Sequence, residues 1–227
     1  MRYPGGKNNG GAYQHIINLI PPHDVFIEGC MGSGPILEHK RPARLNIGID
    51  LDEEVIARRA ATPRPGFEFI RADIIEWLKA RAWTGREFVY LDPPYLFETR
   101  SSKKPIYKYE FSDEQHVELL ETILELPCKV MISGYQSLLY VKMLWGWSTY
   151  TFQSIKRNGQ QATEFLWFNY PAPAELHDYS YLGQNFTQRQ QFKRQRERWK
   201  ERILRMDALK RQSILSALNE LRAAGKI

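Results

Sequence analysis

The chain is organised around Val89-Tyr90-Leu91-Asp92-Pro93-Pro94-Tyr95. An apolar and aromatic run that ends at such a turn is typical of a buried strand in a parallel sheet. Pro93 has no N–H and Pro94 fixes its own φ, so the chain leaves the strand in a rigid, extended turn. Open α/β sheets bind ligands at the carboxyl ends of their strands, which is where this turn is expected to lie.

The turn offers three groups that suit a planar ligand bearing an amine. The carboxylate of Asp92 and the carbonyl of Pro93 can each accept an N–H, and the ring of Tyr95 can stack on a flat face. The same residues also fit an ordinary strand end followed by a stiff turn. The rest of the chain has to decide between these interpretations.

Composition indicates one medium domain with an appendage, because the chain has 227 residues and is 43% hydrophobic. No apolar stretch approaches the roughly 18 residues of a membrane span, and the N-terminus lacks the apolar core of a signal peptide. The two cysteines, Cys30 and Cys128, are too few for a disulfide framework, so we expect a cytoplasmic protein. We expect no membrane partner and no metal site, since Cys/His clusters are absent from the sequence.

Charge is distributed unevenly along the chain. Residues 184–227 contain 12 Lys/Arg against 4 Asp/Glu, whereas the other 183 residues contain 20 against 22. The tail therefore carries +8 and the remainder −2. A basic segment joined to a nearly neutral domain indicates a polyanionic partner, and nucleic acid is favoured over a membrane surface.

Glycine-rich turns precede the central stretch. Residues 2–11 contain four glycines and one proline, which predicts either a ligand-binding loop or a flexible terminus. A strand over 24–28 is followed by the turn 29–34, whose G-x-x-G-x-G spacing departs from the dinucleotide fingerprint G-x-G-x-x-G. Strand, glycine turn and helix together are typical of a nucleotide-binding α/β unit.

Acidic residues follow the next two predicted strands. Asp50 ends a strand over 45–49, where a carboxylate can bind ribose hydroxyls. Asp73 follows a strand over 67–70 and could cap the helix that begins at Ile74. Each acid alone could equally be a cap or a solvated strand end. Their recurrence before Asp92 favours a shared site.

The second half predicts the rest of the sheet. A capping box at 112–115 opens a helix, a fifth strand covers 129–133, and a helix is expected over 136–145. Strands over 149–155 and 164–170 form a hairpin around Asn158-Gly159. These elements predict a mostly parallel sheet with one antiparallel strand.

In combination, these motifs resemble those of the Dam-type DNA adenine-N6 methyltransferases. The resemblance covers about residues 2–170 and rests on an aromatic-x-G-G-K start, an F-x-E-x-x-x-G-x-G turn, an acid after the second strand and a DPPY tetrapeptide. Here these are residues 3–7, residues 26–34, Asp50 and residues 92–95. The resemblance implies an α/β, Rossmann-like, seven-stranded doubly wound sheet with an antiparallel strand 7, and the cofactor S-adenosyl-L-methionine.

The resemblance also implies roles for individual residues. Asp92, Pro93, Pro94 and Tyr95 would be the catalytic residues at N6 of a flipped adenine in double-stranded DNA. The cofactor side would comprise Tyr3, Gly6, Lys7, Glu28, Gly29, Gly32, Gly34, Asp50 and Asp73.

Two departures from the family pattern stand out. Gly29-Cys30 replaces a frequent Pro-Phe in the glycine turn, and only 18 residues separate Asp73 from Asp92. That interval has no room for the usual internal target-recognition domain, so the chain resembles a small form of the family.

We therefore predict two domains, a methyltransferase domain over 1–172 and a basic helical extension over 173–227. The extension is expected to contribute a DNA-binding element, although a solvated basic helix is the alternative. The nucleic-acid-binding residues are predicted to be Arg100, Lys103, Lys104, Lys108, Arg157, Asn158, Arg189, Lys193, Arg194 and Arg198.

Three other functions remain open from the sequence. The pocket does not exclude RNA adenine, and cytosine N4 is a similar exocyclic amine, although the family resemblance disfavours it. A DNA-binding protein that keeps the fold without activity is the third alternative, and the intact Asp92 argues against it.

Overall fold

The computed structural model describes residues 7, 11–100, 104–155 and 161–226. The chain divides into two compact units, Met1–Tyr179 and Ser180–Ile227. The first unit extends seven residues beyond the predicted boundary at 172. The reason is local hydrogen bonding: the amide of His177 donates to the carbonyl of Ile20 at 2.8 Å, and the carboxylate of Asp178 accepts from the amide of Arg41 at 2.8 Å.

A seven-stranded sheet with the order β3-β2-β1-β4-β5-β7-β6 forms the centre of the first unit. β7 runs antiparallel to both of its neighbours, and the remaining pairs are parallel, as the sequence predicted. The strands are β1 (Val25–Gly29), β2 (Leu45–Asp50), β3 (Phe67–Arg71), β4 (Glu87–Leu91), β5 (Lys129–Gly134), β6 (Ser148–Ile155) and β7 (Gln161–Phe168).

Helices cover both faces of this sheet, because successive strand residues point to opposite sides and both sets are apolar. α4, α5 and α6 pack on the face that carries Ile27, Val89 and Ile132. α2 packs on the opposite face, where it meets Glu28 and Gly48. The helices are α1 (Ala12–Ile17), α2 (Pro35–His39), α3 (Glu53–Ala60), α4 (Ile74–Ala80), α5 (Asp113–Leu124) and α6 (Leu138–Met143), with a 3₁₀ turn at Phe97–Thr99.

Parallel register brings the strand ends together at one edge. Gly29 lies opposite Ile49 of β2 and opposite Leu91 of β4. The residues that follow these partners are Asp50 and Asp92, so the two carboxylates leave neighbouring positions at the carboxyl edge. This confirms that the sequence motifs converge on one edge of the sheet.

Local signals in the sequence define the helix starts. Ser112 and Gln115 form the predicted capping box at α5, and Asp73 caps α4 by accepting from the amides of Ile75 and Glu76. The connection from β3 to β4 contains only α4 and a short turn. The first unit therefore has no inserted domain at this point, in agreement with the interval in the sequence.

The second unit contains α7 (Phe186–Leu204) and α8 (Ala208–Ala223), so this part of the chain is helical as predicted for the extension. Asn185 caps α7 and Asp207 caps α8. The guanidinium of Arg211 donates to the carbonyls of Leu204 and Met206 and so joins the two helices. Among the residues the structure describes, no helix has the length and apolar character needed to cross a membrane.

Candidate active site

A cavity of about 370 Å³ opens at the carboxyl edge of the sheet. Its lining comes from the ends of β1, β2, β3 and β4 and from the segment 107–111. The acidic members of the lining from the strand ends are Asp50, Asp73 and Asp92, and Gly32 and Met31 contribute from the glycine turn. Three of the predicted strand-end acids therefore share one cavity.

The glycine turn is held against β2 by Asp50. The amide of Gly32 donates to Oδ2 of Asp50 at 2.7 Å, and the amide of Asp52 donates to Oδ1 at 2.8 Å. Burial raises the pKa of Asp50. Gly32 and Gly34 have φ of 53° and 59°, in the left-handed region that favours glycine, and Cys30 between β1 and Gly32 also adopts a φ of 53°.

Ser33 is a lining residue that the sequence reasoning missed. Its hydroxyl oxygen is buried and makes no hydrogen bond to any part of the chain that the structure describes. Buried polar atoms in native proteins almost always have a partner. Ser33 is one of several residues with such an atom in the described part of the chain, so its hydroxyl does not by itself identify a ligand.

Two predicted cofactor residues have structural partners of their own. Asp73 lines the cavity while its Oδ1 caps α4. Glu28 is only 1% exposed and accepts a hydrogen bond from the amide of Leu37 at 2.7 Å. Burial raises the pKa of Glu28 to about 8. Glu28 therefore holds the start of α2 and is not among the cavity-lining residues.

The carboxylate of Asp92 is clamped at one oxygen. Its Oδ1 accepts from the hydroxyl of Ser133 at 2.6 Å and lies 2.9 Å from the ammonium of Lys7. Its Oδ2 makes no hydrogen bond within the described ranges. The phenol of Tyr90 lies 3.1 Å from Oγ of Ser133 and completes this network. The clamp leaves one acceptor of Asp92 open beside the cavity.

Lys7 is not among the residues that line the cavity. It was expected among the cofactor residues, but its ammonium lies between Asp92 and Glu164, 3.0 Å from Oε2 of Glu164, and donates to the phenol of Tyr95. Burial alone would lower the pKa of Lys7. The charges of Asp92 and Glu164 outweigh burial and raise that pKa well above its usual range.

Tyr95 is fixed from two sides. Its phenol donates to Glu164 at 3.1 Å, and its ring packs edge-on against Tyr135 with centroids 4.7 Å apart. Pro94 lines the cavity and Pro93 is buried. Glu164 and Ser133 were not identified from the sequence. Ser133 lies on a strand whose other residues are mostly buried, whereas β7 around Glu164 is of mixed burial, so the sequence around Glu164 gives no comparable signal.

The polar loop after Tyr95 requires a correction. Arg100 was predicted to bind nucleic acid, but it is 9% exposed and its guanidinium forms a bidentate pair with Glu110 at 2.9 and 2.6 Å. It also donates to the carbonyl of Tyr95 at 2.6 Å. These bonds occupy the guanidinium, so Arg100 fastens the loop to the site. Lys108 lines the cavity and pairs with Asp52 at 3.1 Å.

The other predicted nucleic-acid residues fall into two groups. Arg189, Lys193, Arg194 and Arg198 lie on α7, and the last three are exposed. Lys104 is exposed in the first unit. The predicted residues Tyr3, Gly6, Lys103, Arg157 and Asn158 lie outside the described residues. Within the described ranges no group of three His, Cys, Asp or Glu side chains could hold a metal ion.

A family model for D12 class N6 adenine-specific DNA methyltransferases matches residues 69–163. The matched segment contains Asp92–Tyr95, Ser133 and the strands that position them. The match confirms, over this part of the chain, the resemblance predicted from the motifs.

Solved structures give fold-level similarity only. TrmK of M. capricolum, crystallised with S-adenosyl-homocysteine, has 8% identity over 93% of this chain and 95% of that chain, with a TM-score of 0.48. An rRNA methylase from Streptococcus thermophilus has 13% identity over 69% and 93%, with a TM-score of 0.46. A dimethyladenosine transferase from Plasmodium falciparum has 14% identity over 70% and 62%, with a TM-score of 0.44. The comparison with curated proteins returned no match.

Proposed function

We propose that this protein transfers a methyl group from S-adenosyl-L-methionine to N6 of an adenine in DNA. The observation that carries the proposal is the arrangement of hydrogen-bond partners around Asp92. It lines the cavity, its Oδ1 is clamped by Ser133 and Lys7, and its Oδ2 is left open as an acceptor for an amine. The family match, which covers Asp92–Tyr95, supports adenine N6 as that amine.

The cavity residues fit the cofactor. Asp50 presents a carboxylate for ribose hydroxyls, and Met31, Leu51 and Ile74 contribute apolar walls for a planar base. When bound, the cofactor supplies a methyl group on a sulfonium, and the sulfur keeps the electron pair of the broken carbon–sulfur bond.

The residues of the chain position the amine and stabilise its developing charge. Adenine N6 is a poor nucleophile because its lone pair is conjugated with the ring. Hydrogen bonds from N6 to Oδ2 of Asp92 and to the carbonyl of Pro93 would draw that lone pair out of conjugation. As the new bond forms, N6 becomes positive, and the adjacent carboxylate of Asp92 stabilises that charge and receives the proton that N6 releases. The ring of Tyr95 stacks on the base.

The duplex must present the base outside its stack, because the acceptor lies inside a cavity and the target atom is paired in a helix. Affinity for the phosphate backbone comes from the second unit. Residues 184–227 carry a surplus of eight positive charges, whereas the rest of the chain carries −2. The exposed basic residues of α7 are the leading candidates for those contacts.

The reaction is tested by incubating the protein with methyl-labelled cofactor and unmethylated DNA, RNA or neither, followed by nucleoside analysis. We expect label in N6-methyldeoxyadenosine, and we expect none with Asp92→Ala, although that variant should still bind the cofactor. Label confined to RNA adenine or to cytosine would assign a different substrate. Absence of transfer from the wild type to any substrate would refute the enzyme assignment.

The role of the second unit is tested by reversing charge on α7. Glutamate at Arg189, Arg194 and Arg198 should weaken DNA binding and make its salt dependence shallower, because each phosphate contact contributes about −0.9 to the slope of log affinity against log salt. If about six basic residues of the tail touch phosphate, the wild-type slope is about −5.

A matched control reverses three charges that are exposed in the first unit, at Arg58, Lys129 and Lys142. It changes the net charge by the same amount. Equal effects of the two triple variants on affinity and slope would show that net charge alone governs binding and would remove α7 as the phosphate-binding element. Exposed substitutions of this kind usually change stability little.

A further inference from the structure

Glu164 contacts both Lys7, which pairs with Asp92, and Tyr95, whose ring is proposed to stack on the base. It lies on β7, is 7% exposed, and its Oε2 is 3.0 Å from the ammonium of Lys7 and 3.1 Å from the phenol of Tyr95. Lys7 in turn donates to the same phenol. One carboxylate therefore fixes both the cation that clamps Asp92 and the ring expected to stack on the base.

The charges in this group depend on one another. The half-buried carboxylate of Asp92 and the buried carboxylate of Glu164 share the ammonium of Lys7, at 2.9 and 3.0 Å. Removing one partner of a buried ion pair leaves the other uncompensated, which is costly. Because Lys7 has carboxylates on both sides, its position between them is set by both.

We infer that Glu164 is a positioning residue for methyl transfer: by fixing Lys7 and Tyr95 it keeps Oδ1 of Asp92 clamped and leaves Oδ2 directed at the target amine. This inference rests on the proposed function. Glu164 touches neither reacting atom and acts through its two neighbours. Loss of its charge leaves Asp92 and its pair with Lys7 in place but removes the second contact that orients Lys7 and weakens the one that orients Tyr95.

A purely structural Glu164 would lower activity without changing the titration of Asp92, whereas a positioning Glu164 changes both. Burial raises the pKa of Asp92, Lys7 opposes that rise, and the like charge of Glu164 adds to it. Asp92 still pairs with Lys7 when Glu164→Gln removes the like charge, so the acidic limb of the pH profile of kcat/KM should move to lower pH. Lys7→Met removes the opposing charge and should move the same limb to higher pH.

The experiment compares Glu164→Gln and Glu164→Asp with the wild type, with Glu68→Gln on the exposed surface of β3 as the matched control. We expect Glu164→Gln to lower kcat about 10- to 100-fold, as expected for loss of a hydrogen bond to a charged group. Its cofactor affinity should stay within about twofold of wild type, since Glu164 does not line the cavity. Glu164→Asp keeps the charge, so its acidic limb should stay at the wild-type pH even if its rate is lower.

A second readout does not require turnover. With ¹⁵N-labelled lysine, the ammonium of Lys7 is identified by comparison with Lys7→Met, and its resonance should shift in Glu164→Gln and remain in place in Glu68→Gln. If the wild type transfers no methyl, the proposed function fails, while this measurement still tests the pairing of Lys7 with Glu164.

Three results would overturn the inference. They are a kcat of Glu164→Gln within twofold of wild type, a lowered kcat with an unmoved acidic limb, or an unchanged Lys7 resonance in Glu164→Gln. If Glu164→Gln fails to fold by circular dichroism, Glu164→Asp decides the question, because a shortened carboxylate that keeps full activity and an unshifted Lys7 resonance would show that the contact with Lys7 is not needed.

Discussion

The buried pair between Arg100 and Glu110 gives the sharpest test of the structure, because the sequence assigned Arg100 a different role. Glu110→Gln removes the charged partner and leaves Arg100 unchanged. In the structure the two side chains are 6% and 15% exposed, and the carboxylate of Glu110 also accepts from the amides of Ile106 and Tyr107. The substitution therefore leaves a guanidinium buried without a counter-charge.

Breaking a buried ion pair in this way costs about 3–5 kcal/mol, and domains are usually stable by only about 5–15 kcal/mol. We expect urea denaturation at pH 7 to show that Glu110→Gln lowers the free energy of unfolding by about 3 kcal/mol. The loss should lie at the lower end of the range of about 3–5 kcal/mol because the neutral amide still accepts hydrogen bonds. Lys108→Gln is the matched control, since it breaks an ion pair of the same loop whose lysine is 53% exposed, and such pairs contribute about 0–1 kcal/mol.

The pH dependence provides an internal check. Burial would raise the pKa of Glu110, but the hydrogen bonds from Arg100 and from the amides of Tyr107 and Ile106 hold it below its usual value. Stability from a depressed pKa is present above the unfolded-state value and is lost as pH falls. The difference between wild type and Glu110→Gln should therefore shrink below about pH 4.5. If Glu110→Gln lowers the free energy of unfolding by less than about 1 kcal/mol at pH 7, the Arg100–Glu110 pair does not stabilise the loop, and Arg100 again becomes a candidate phosphate ligand.

Three further predictions concern the cavity and its support. Ser133→Ala removes the 2.6 Å bond to Asp92 and should lower kcat about 10- to 100-fold, measured by steady-state methyl transfer, with cofactor affinity retained. Asp50→Ala should weaken cofactor binding in calorimetry, and unchanged affinity would remove Asp50 from the site. Glu28 has a pKa of about 8 in the folded protein, so its contribution to stability is full below about pH 4.5 and is lost progressively toward pH 8. The free energy of unfolding of the wild type should therefore decline by up to about 5 kcal/mol over this window, and Glu28→Gln should abolish that decline.

The sequence predicted the parts of the site that follow from strand ends. Parallel strands in register bring their carboxyl ends to one edge, so the acids after β2 and β4 and the glycine turn after β1 had to converge. The convergence of Asp50, Asp92 and Gly32 could therefore be predicted without knowledge of side-chain packing. The antiparallel β7 was likewise indicated by the hairpin and by the family resemblance.

The sequence could not reveal partners that depend on strand order. Ser133 is 41 residues from Asp92, and Glu164 is 69 residues from Tyr95, and both become neighbours only because β5 lies beside β4 and β7 beside β5. Arg100 was misassigned for a related reason. The sequence predicts that a basic residue in a polar loop is exposed. It does not show that Glu110, ten residues away, folds back to pair with Arg100.

Charge balance explains why Asp92 is accompanied by Lys7 and Glu164. These three groups carry a formal sum of −1 in a buried place, and the adenine that enters is neutral. As N6 becomes positive during transfer, the sum approaches zero, so the group is complementary to the transition state more than to the bound base. Without Lys7, two buried carboxylates would stand close together and one would take up a proton. If that proton went to Asp92, the acceptor for N6 would be lost. Lys7 therefore keeps Asp92 ionised, and Glu164 holds the ring of Tyr95 and gives Lys7 its second contact.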